Sequence, residues 1–84
     1  MAVVSRVIVG IVPTLIVAAS GNRKAMMIKN DGTGSVYLSN NNQVTVATGL
    51  NLPQGVQLNL EGDTDAYWGI CSVGTQTVNI VEIY

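Results

Sequence analysis

In the run VQLNL, Val56, Leu58 and Leu60 alternate with Gln57 and Asn59. A period of two places the three apolar side chains on one face of a strand and the amides on the other. QVTVA (43–47) repeats the pattern, with Val44 and Val46 together and Thr45 opposed. AYWGICS (66–72) puts Ala66, Trp68 and Ile70 on one side and Tyr67, Gly69 and Cys71 on the other. Trp68 is the expected core anchor of that strand, with the tyrosines at layer edges. KAMMIK (24–29) and SVYLS (35–39) are further short β-rich runs. NDGTG, NNN, TGLNLPQG, GDTD and VGT separate the runs and read as turns. No helical period persists beyond one turn. The spacing predicts an all-β fold, a small antiparallel β-sandwich or jelly-roll-like barrel of about seven to eight short strands.

The two ends of the chain depart from one-sided alternation. In QTVNIVEIY (76–84), Val78 and Ile80 share a face with Glu82 and Tyr84, while Val81 and Ile83 lie on the other. An apolar set on each face suits a strand that meets its own core on one side and a partner on the other. VVSRVIVGIVPTLIVAAS (3–20) has the same double-sided character. If both ends pair in one sheet, that sheet is the expected interface. The alternative is that both are central strands of a two-layer sandwich. The interface residues expected on this reading are Val3, Val4, Val7, Ile8, Val9, Ile11, Val81, Ile83 and Tyr84.

The first of these segments also carries the parts of a secretory signal: a cation near its start, an apolar centre and small residues at Ala18, Ala19 and Ser20. A secreted β-protein cut after Ser20 is therefore one reading. Its richness in β-branched Val and Ile favours strands instead. Pro13 would break a helix, and a membrane helix needs about 20 apolar residues without the interruptions of Arg6, Gly10 and Pro13. The preferred reading is two strands near 3–9 and 14–19, hinged at Gly10 to Pro13. Residues 1–13 then form an arm or first strand, and 14–84 the β-sandwich domain.

Composition sharpens the case for partners. Charged residues make up 11% of the 84, against about 25% in typical soluble domains. A domain of this size buries only roughly 60–65% of the surface its unfolded chain exposes. With one cysteine, Cys71, and no histidine, neither an internal disulfide nor a Cys/His zinc site can supplement the core. Association with other chains is the remaining means. The net charge of −1 gives no field able to neutralise many phosphates, so no nucleic-acid partner is expected. No membrane partner is expected either. Arg23, Lys24 and Lys29 form a small basic spot, read as a solvated strand end.

A phosphate-binding glycine loop must lead into a helix N-terminus; Gly32-Thr33-Gly34 leads into a strand-like run instead. Asn30-Asp31-Gly32 reads as a turn supplying left-handed conformations. Glu61, Asp63 and Asp65 alternate and could converge on calcium, but Gly62-Asp63 is also ordinary turn chemistry. There is no histidine base, and Cys71 lies in an apolar strand without a cationic neighbour, so an inert packed thiol is expected. The expectation is a protein that is not an enzyme and uses no cofactor or metal. Tyr37 and Tyr67, if exposed, would offer rings for stacking on a glycan.

The order of segments over 14–84 resembles small β-sandwich proteins and modules of tailed-phage virions. The shared pattern begins with Asn22-Arg23 and ends its first strand at Ile28-Lys29-Asn30. Val36-Tyr37-Leu38, the Val44-Thr45 run and the turn Gly49-Leu50-Asn51-Leu52-Pro53-Gln54-Gly55 follow. Asp65 to Ile70, the Gly74-Thr75 turn and the Val78-x-Ile80-x-Glu82 strand complete it. The resemblance implies a structural virion protein on the outer surface of the head. It would be a capsid decoration or cement protein, homo-oligomeric with a trimer favoured, and bound to the major capsid protein or another virion protein. The alternative it implies is a tail- or fibre-associated host-attachment module that binds glycans through Tyr37 or Tyr67.

Overall fold

The computed structural model describes residues 1–84 and contains eight strands and no helix. They are β1 (Ala2–Val9), β2 (Thr14–Val17), β3 (Ala25–Asn30), β4 (Val36–Ser39), β5 (Leu50–Leu52), β6 (Gln57–Glu61), β7 (Tyr67–Ile70) and β8 (Gln76–Ile83). One sheet has the order β1-β8-β3-β6 and the other β2-β7-β4-β5, with every pairing antiparallel.

The pairings are nested: β1 with β8, β2 with β7, β3 with β6 and β4 with β5. The chain is thus a long two-stranded ribbon, folded so that β8 also meets β3 and β7 also meets β4. This is the wrapping of an eight-stranded jelly roll. The shortest extent of the molecule, 15 Å, fits two layers.

The core lies between the sheets. The terminal sheet contributes Val9, Met26, Ile28, Val78 and Ile80, and the other contributes Ile16, Val17, Val36, Leu38 and Leu52. Leu58 and Leu60 pack against this cluster as the VQLNL alternation requires, while Gln57 and Asn59 face out. Val9 is fully buried, so the strand within 1–13 belongs to the same core as the rest. The strand break predicted at Gly10 to Pro13 is present, although β2 stops at Val17 rather than at Ala19.

Three expectations about elements are corrected. QVTVA is not a strand. Asn41 Oδ1 accepts the Gln43 amide, Val44 N–H donates to Asn41 O, and the Thr45 and Thr48 side chains and backbones bond one another, so 41–49 is closed by turns. Leu50–Leu52, expected within a turn, instead pairs with β4. Trp68 stands opposite Leu15 and Ser39 on the outer face, and the ring packed on the core is that of Tyr67. Gly69 shares the inner face with Tyr67, and a Cβ there would come within 2.6 Å of Ile16 Cδ1. Ile16 and Val36 belong to the strands on either side of β7 in the same sheet, and their side chains fill the space beside Gly69.

β3 anchors both ends of the sandwich. Before it, Arg23 is only 2% exposed, which corrects its reading as a solvated cation. Its guanidinium donates to the carbonyls of Ala18, Asp63 and Asp65 and to Glu82 Oε2 at 3.1 Å. At the far end of β3, Asn30 is fully buried. Its Nδ2 donates to Gly34 O and Leu52 O, and its Oδ1 accepts the Gly32 amide.

The turns work differently from the expectation as well. Only Gly55, Gly62 and Gly74 have positive φ, and no other residue type does. Asn30-Asp31-Gly32 therefore uses no left-handed conformation. Gln76 Oε1 accepts the amides of Thr33 and Gly34 at 2.8 and 3.0 Å. A Cβ at 32 would push the Gln76 amide out of the position in which it makes these two bonds.

Candidate functional site

The β1–β8 pairing places both chain ends in one sheet, which was the condition set for an interface there. Met1 and Tyr84 exchange both backbone hydrogen bonds, at 2.9 and 2.8 Å. From that pair the register runs without interruption to Val9 opposite Gln76.

Residues opposite one another share a face, so the register gives the outer surface row by row. Ala2, Ile83, Ala25 and Glu61 form one row; Val4, Val81, Met27 and Asn59 the next; Arg6, Asn79, Lys29 and Gln57 the third. The first two rows are largely apolar and the third is polar. Val4 is 73% exposed and Ile8, further along β1, 65%. Ala25, Met27, Val81 and Ile83, with Asn59 and Glu61, line a shallow groove of about 300 Å³. A connected apolar surface of this kind marks a contact site more often than bare solvent exposure.

The other sheet also carries apolar residues on its outer side, Leu15, Trp68, Tyr37 and Ile70, with Leu15 47% exposed, but part of that side is covered. Tyr37 stands opposite Ile70 and Asn51 on its outer side. The 40–49 loop folds over that side: Gly49 sits against both Tyr37 and Val44, and Val44 is buried. The protein thus covers part of one outer face with its own loop and leaves the other bare.

The expected interface residues divide accordingly. Val4, Ile8, Val81 and Ile83 lie on the bare face. Ile11 is exposed in the β1–β2 connection, beside Val12. Val3 and Val7 are on the core side of β1, and Val7 packs against the core. Val9 is buried and offers no surface. Tyr84 continues β8, its hydroxyl donating to Glu82 Oε2 at 2.7 Å. The sequence reading missed Ala25 and Met27, although AMMIK also carries apolar residues on both faces.

The remaining candidate chemistry is taken up by local structure. Asp63 Oδ1 accepts the Asp65 amide and Oδ2 accepts the Tyr67 hydroxyl. The Tyr67 hydroxyl and then the Asp65 amide hold the Asp63 carboxyl below its ordinary range. Burial, followed by the hydrogen bond to Asp63, pushes the Tyr67 hydroxyl up to about 12. Glu61, Asp63 and Asp65 are not gathered into a common ligand cluster. Cys71 is buried, its Sγ directed at the carbonyls of Val9, Val73 and Gly74. Tyr37 and Tyr67 point to opposite sides of their sheet, so they form no shared ring platform.

No protein-family model matches the sequence, and no curated protein or solved structure matches it.

Proposed function

We propose that this chain is a structural assembly subunit whose terminal sheet is covered by a partner protein in the working state. The bare apolar outer face around Val4, Met27, Val81 and Ile83 carries the reading. The low charge content supports it. So does the engagement of Asp63, Tyr67 and Cys71 in local bonds rather than in an open reactive cluster. In its sharper form the assembly is a tailed-phage head and the chain a decoration or cement protein bound to the shell. The segment order supports that form. The jelly roll recurs in viral capsids, though by itself a fold does not define a function.

The test is incorporation into virions. Tagged chain supplied during assembly should co-purify with particles and be visible on the head surface by electron cryomicroscopy. Val81→Glu and Met27→Lys should remove it from particles while leaving thermal unfolding of the isolated chain nearly unchanged. Equal incorporation of these variants would overturn the role of this face. Presence on the tail rather than the head would favour the host-attachment reading.

A further inference from the structure

Each of the two sheets has two edges, and β1 is the longest of the four edge strands. β2 is four residues long, follows Pro13 and carries a register irregularity between Leu15 and Val17. β5 is three residues long and runs into Pro53. β6 is five residues long and carries its one charge, Glu61, at its end. Short strands, bulges, prolines and charges are the usual guards against edge pairing.

β1 has none of these except Arg6. It runs for eight residues, without proline, glycine or bulge. The Arg6 side chain is tied back along its own sheet by a 2.9 Å bond from Nε to Asn79 Oδ1.

The free hydrogen-bonding groups of this edge can be assigned. Met1 and Tyr84 form a mutually bonded pair. Antiparallel pairs alternate between bonded and non-bonded, so Val3, Ser5, Val7 and Val9 bond to β8. Ala2, Val4, Arg6 and Ile8 therefore direct their amides and carbonyls away from the sheet.

We infer that β1 pairs antiparallel with β1 of a second copy about a two-fold axis at Ser5, joining the two terminal sheets into one continuous sheet. In this register Ala2 bonds Ile8 of the second copy, and Val4 bonds Arg6 of the second copy. Every outward amide and carbonyl of Ala2 to Ile8 is then satisfied. Ser5 meets its own equivalent at a non-bonded site, and Val3 faces Val7 as a β-branched pair. Moving the axis to Arg6 would oppose two like charges. Moving it to Val4 would leave Ile8 unpaired.

The strand is thus nearly palindromic in the property that matters, which identifies a second copy of this chain as the partner. An isologous contact of this kind closes as a dimer, in place of the trimer the family resemblance implies. It deepens the proposed function by bringing two apolar outer faces side by side, and it rests on that reading only for its use in assembly.

Ser5→Cys tests the register. The site is exposed, and the only native cysteine is buried. Non-bonded antiparallel pairs have Cα atoms about 4.5 Å apart, within the range for a disulfide. Under mild oxidation Ser5→Cys should form a covalent dimer at least about ten-fold faster than Val4→Cys or Arg6→Cys. Val4→Pro removes an outward amide without touching the β1–β8 bonds, and should reduce the native dimer mass in sedimentation to that of a monomer. Val81→Glu, off the edge, should keep the Ser5→Cys cross-link even when partner binding is lost, so failure of pairing and failure of the partner face give different results. A Ser5→Cys chain that stays uncrosslinked, a native chain that sediments as a monomer, or equal cross-linking at all three positions would overturn the inference.

Discussion

Arg23 Nη1 and Glu82 Oε2 meet at 3.1 Å, with the arginine side chain completely buried and the glutamate nearly so. Three backbone carbonyls, of Ala18, Asp63 and Asp65, complete the arginine's shell. The pair ties the start of β3 to the end of β8 and to two loops. Burying a charge is costly, so the contact adds less to net stability than its geometry suggests, but removing one member leaves the other charge unpaired.

Arg23→Ala should therefore lower unfolding free energy by about 3–5 kcal/mol, read as a fall in the urea midpoint. Arg23→Lys should recover little of it, because an ammonium cannot span the same fork of acceptors.

Asn30→Asp should also be severe. Its amide donates to Gly34 O and Leu52 O, and a carboxylate would turn both contacts repulsive in a fully buried position. A loss of at least about 3 kcal/mol is expected, with Asn30→Ala closer to about 2 kcal/mol. Denaturation curves of the two variants check the order.

Gly69→Ala should destabilise by about 1–3 kcal/mol through overpacking, since its Cβ would press on Ile16 Cδ1 at 2.6 Å and Val36 Cγ1 at 3.3 Å. Adding Ile16→Val to the same chain should restore part of the loss. Thermal melts of the single and double variants measure the coupling.

The Asp63–Tyr67 pair predicts pH dependence at both extremes. Asp63 is lowered in the fold, so its contribution is present above the ordinary value of 3.8 and is lost as pH falls through the depressed one. Tyr67 is raised to about 12, so its contribution is complete below pH 10 and is lost as pH rises toward 12. Tyr67→Phe should remove the late step in the tyrosinate absorbance titration and flatten the acid limb of the stability curve. Both effects should be modest, because Asp63 is largely open to solvent screening.

Truncating β1 would be a poor test of any surface role. It would remove Val9 from the core and deprive β8 of a neighbour. Point changes at Val4, Met27 and Val81 leave that packing intact.

Much of the sandwich was legible because burial on one face imposes a period of two. VQLNL shows this directly, while the two-faced ends of the chain left open a shared interface sheet or two central strands; β1 and β8 do pair, with β8 central and β1 at the edge. The misses have physical causes. QVTVA alternates like a strand, yet Val44 is buried by a loop folding back over Tyr37, and side-chain bonds replace the ladder. LNL is bracketed by Gly49, Pro53 and Gly55, so local signals hid a three-residue pairing fixed by β4. Arg23 looked like surface because its partner lies 59 positions away, and a one-dimensional pattern carries no trace of that meeting. AYWGIC alternates equally well with either face inward, so the pattern alone did not decide between Trp68 and Tyr67 as the core ring.

The nested pairings also rank the strand contacts by the length of chain each one closes. Closing a short loop costs less entropy than closing a long one, so of the nested pairings β4–β5 is the least costly to close and β1–β8 the most. Whenever β1 is undocked, β8 becomes the open edge of its sheet and can accept a β1 strand from another chain. At high concentration during refolding, exchange of β1 between molecules is the expected error, and slow dilution is the remedy.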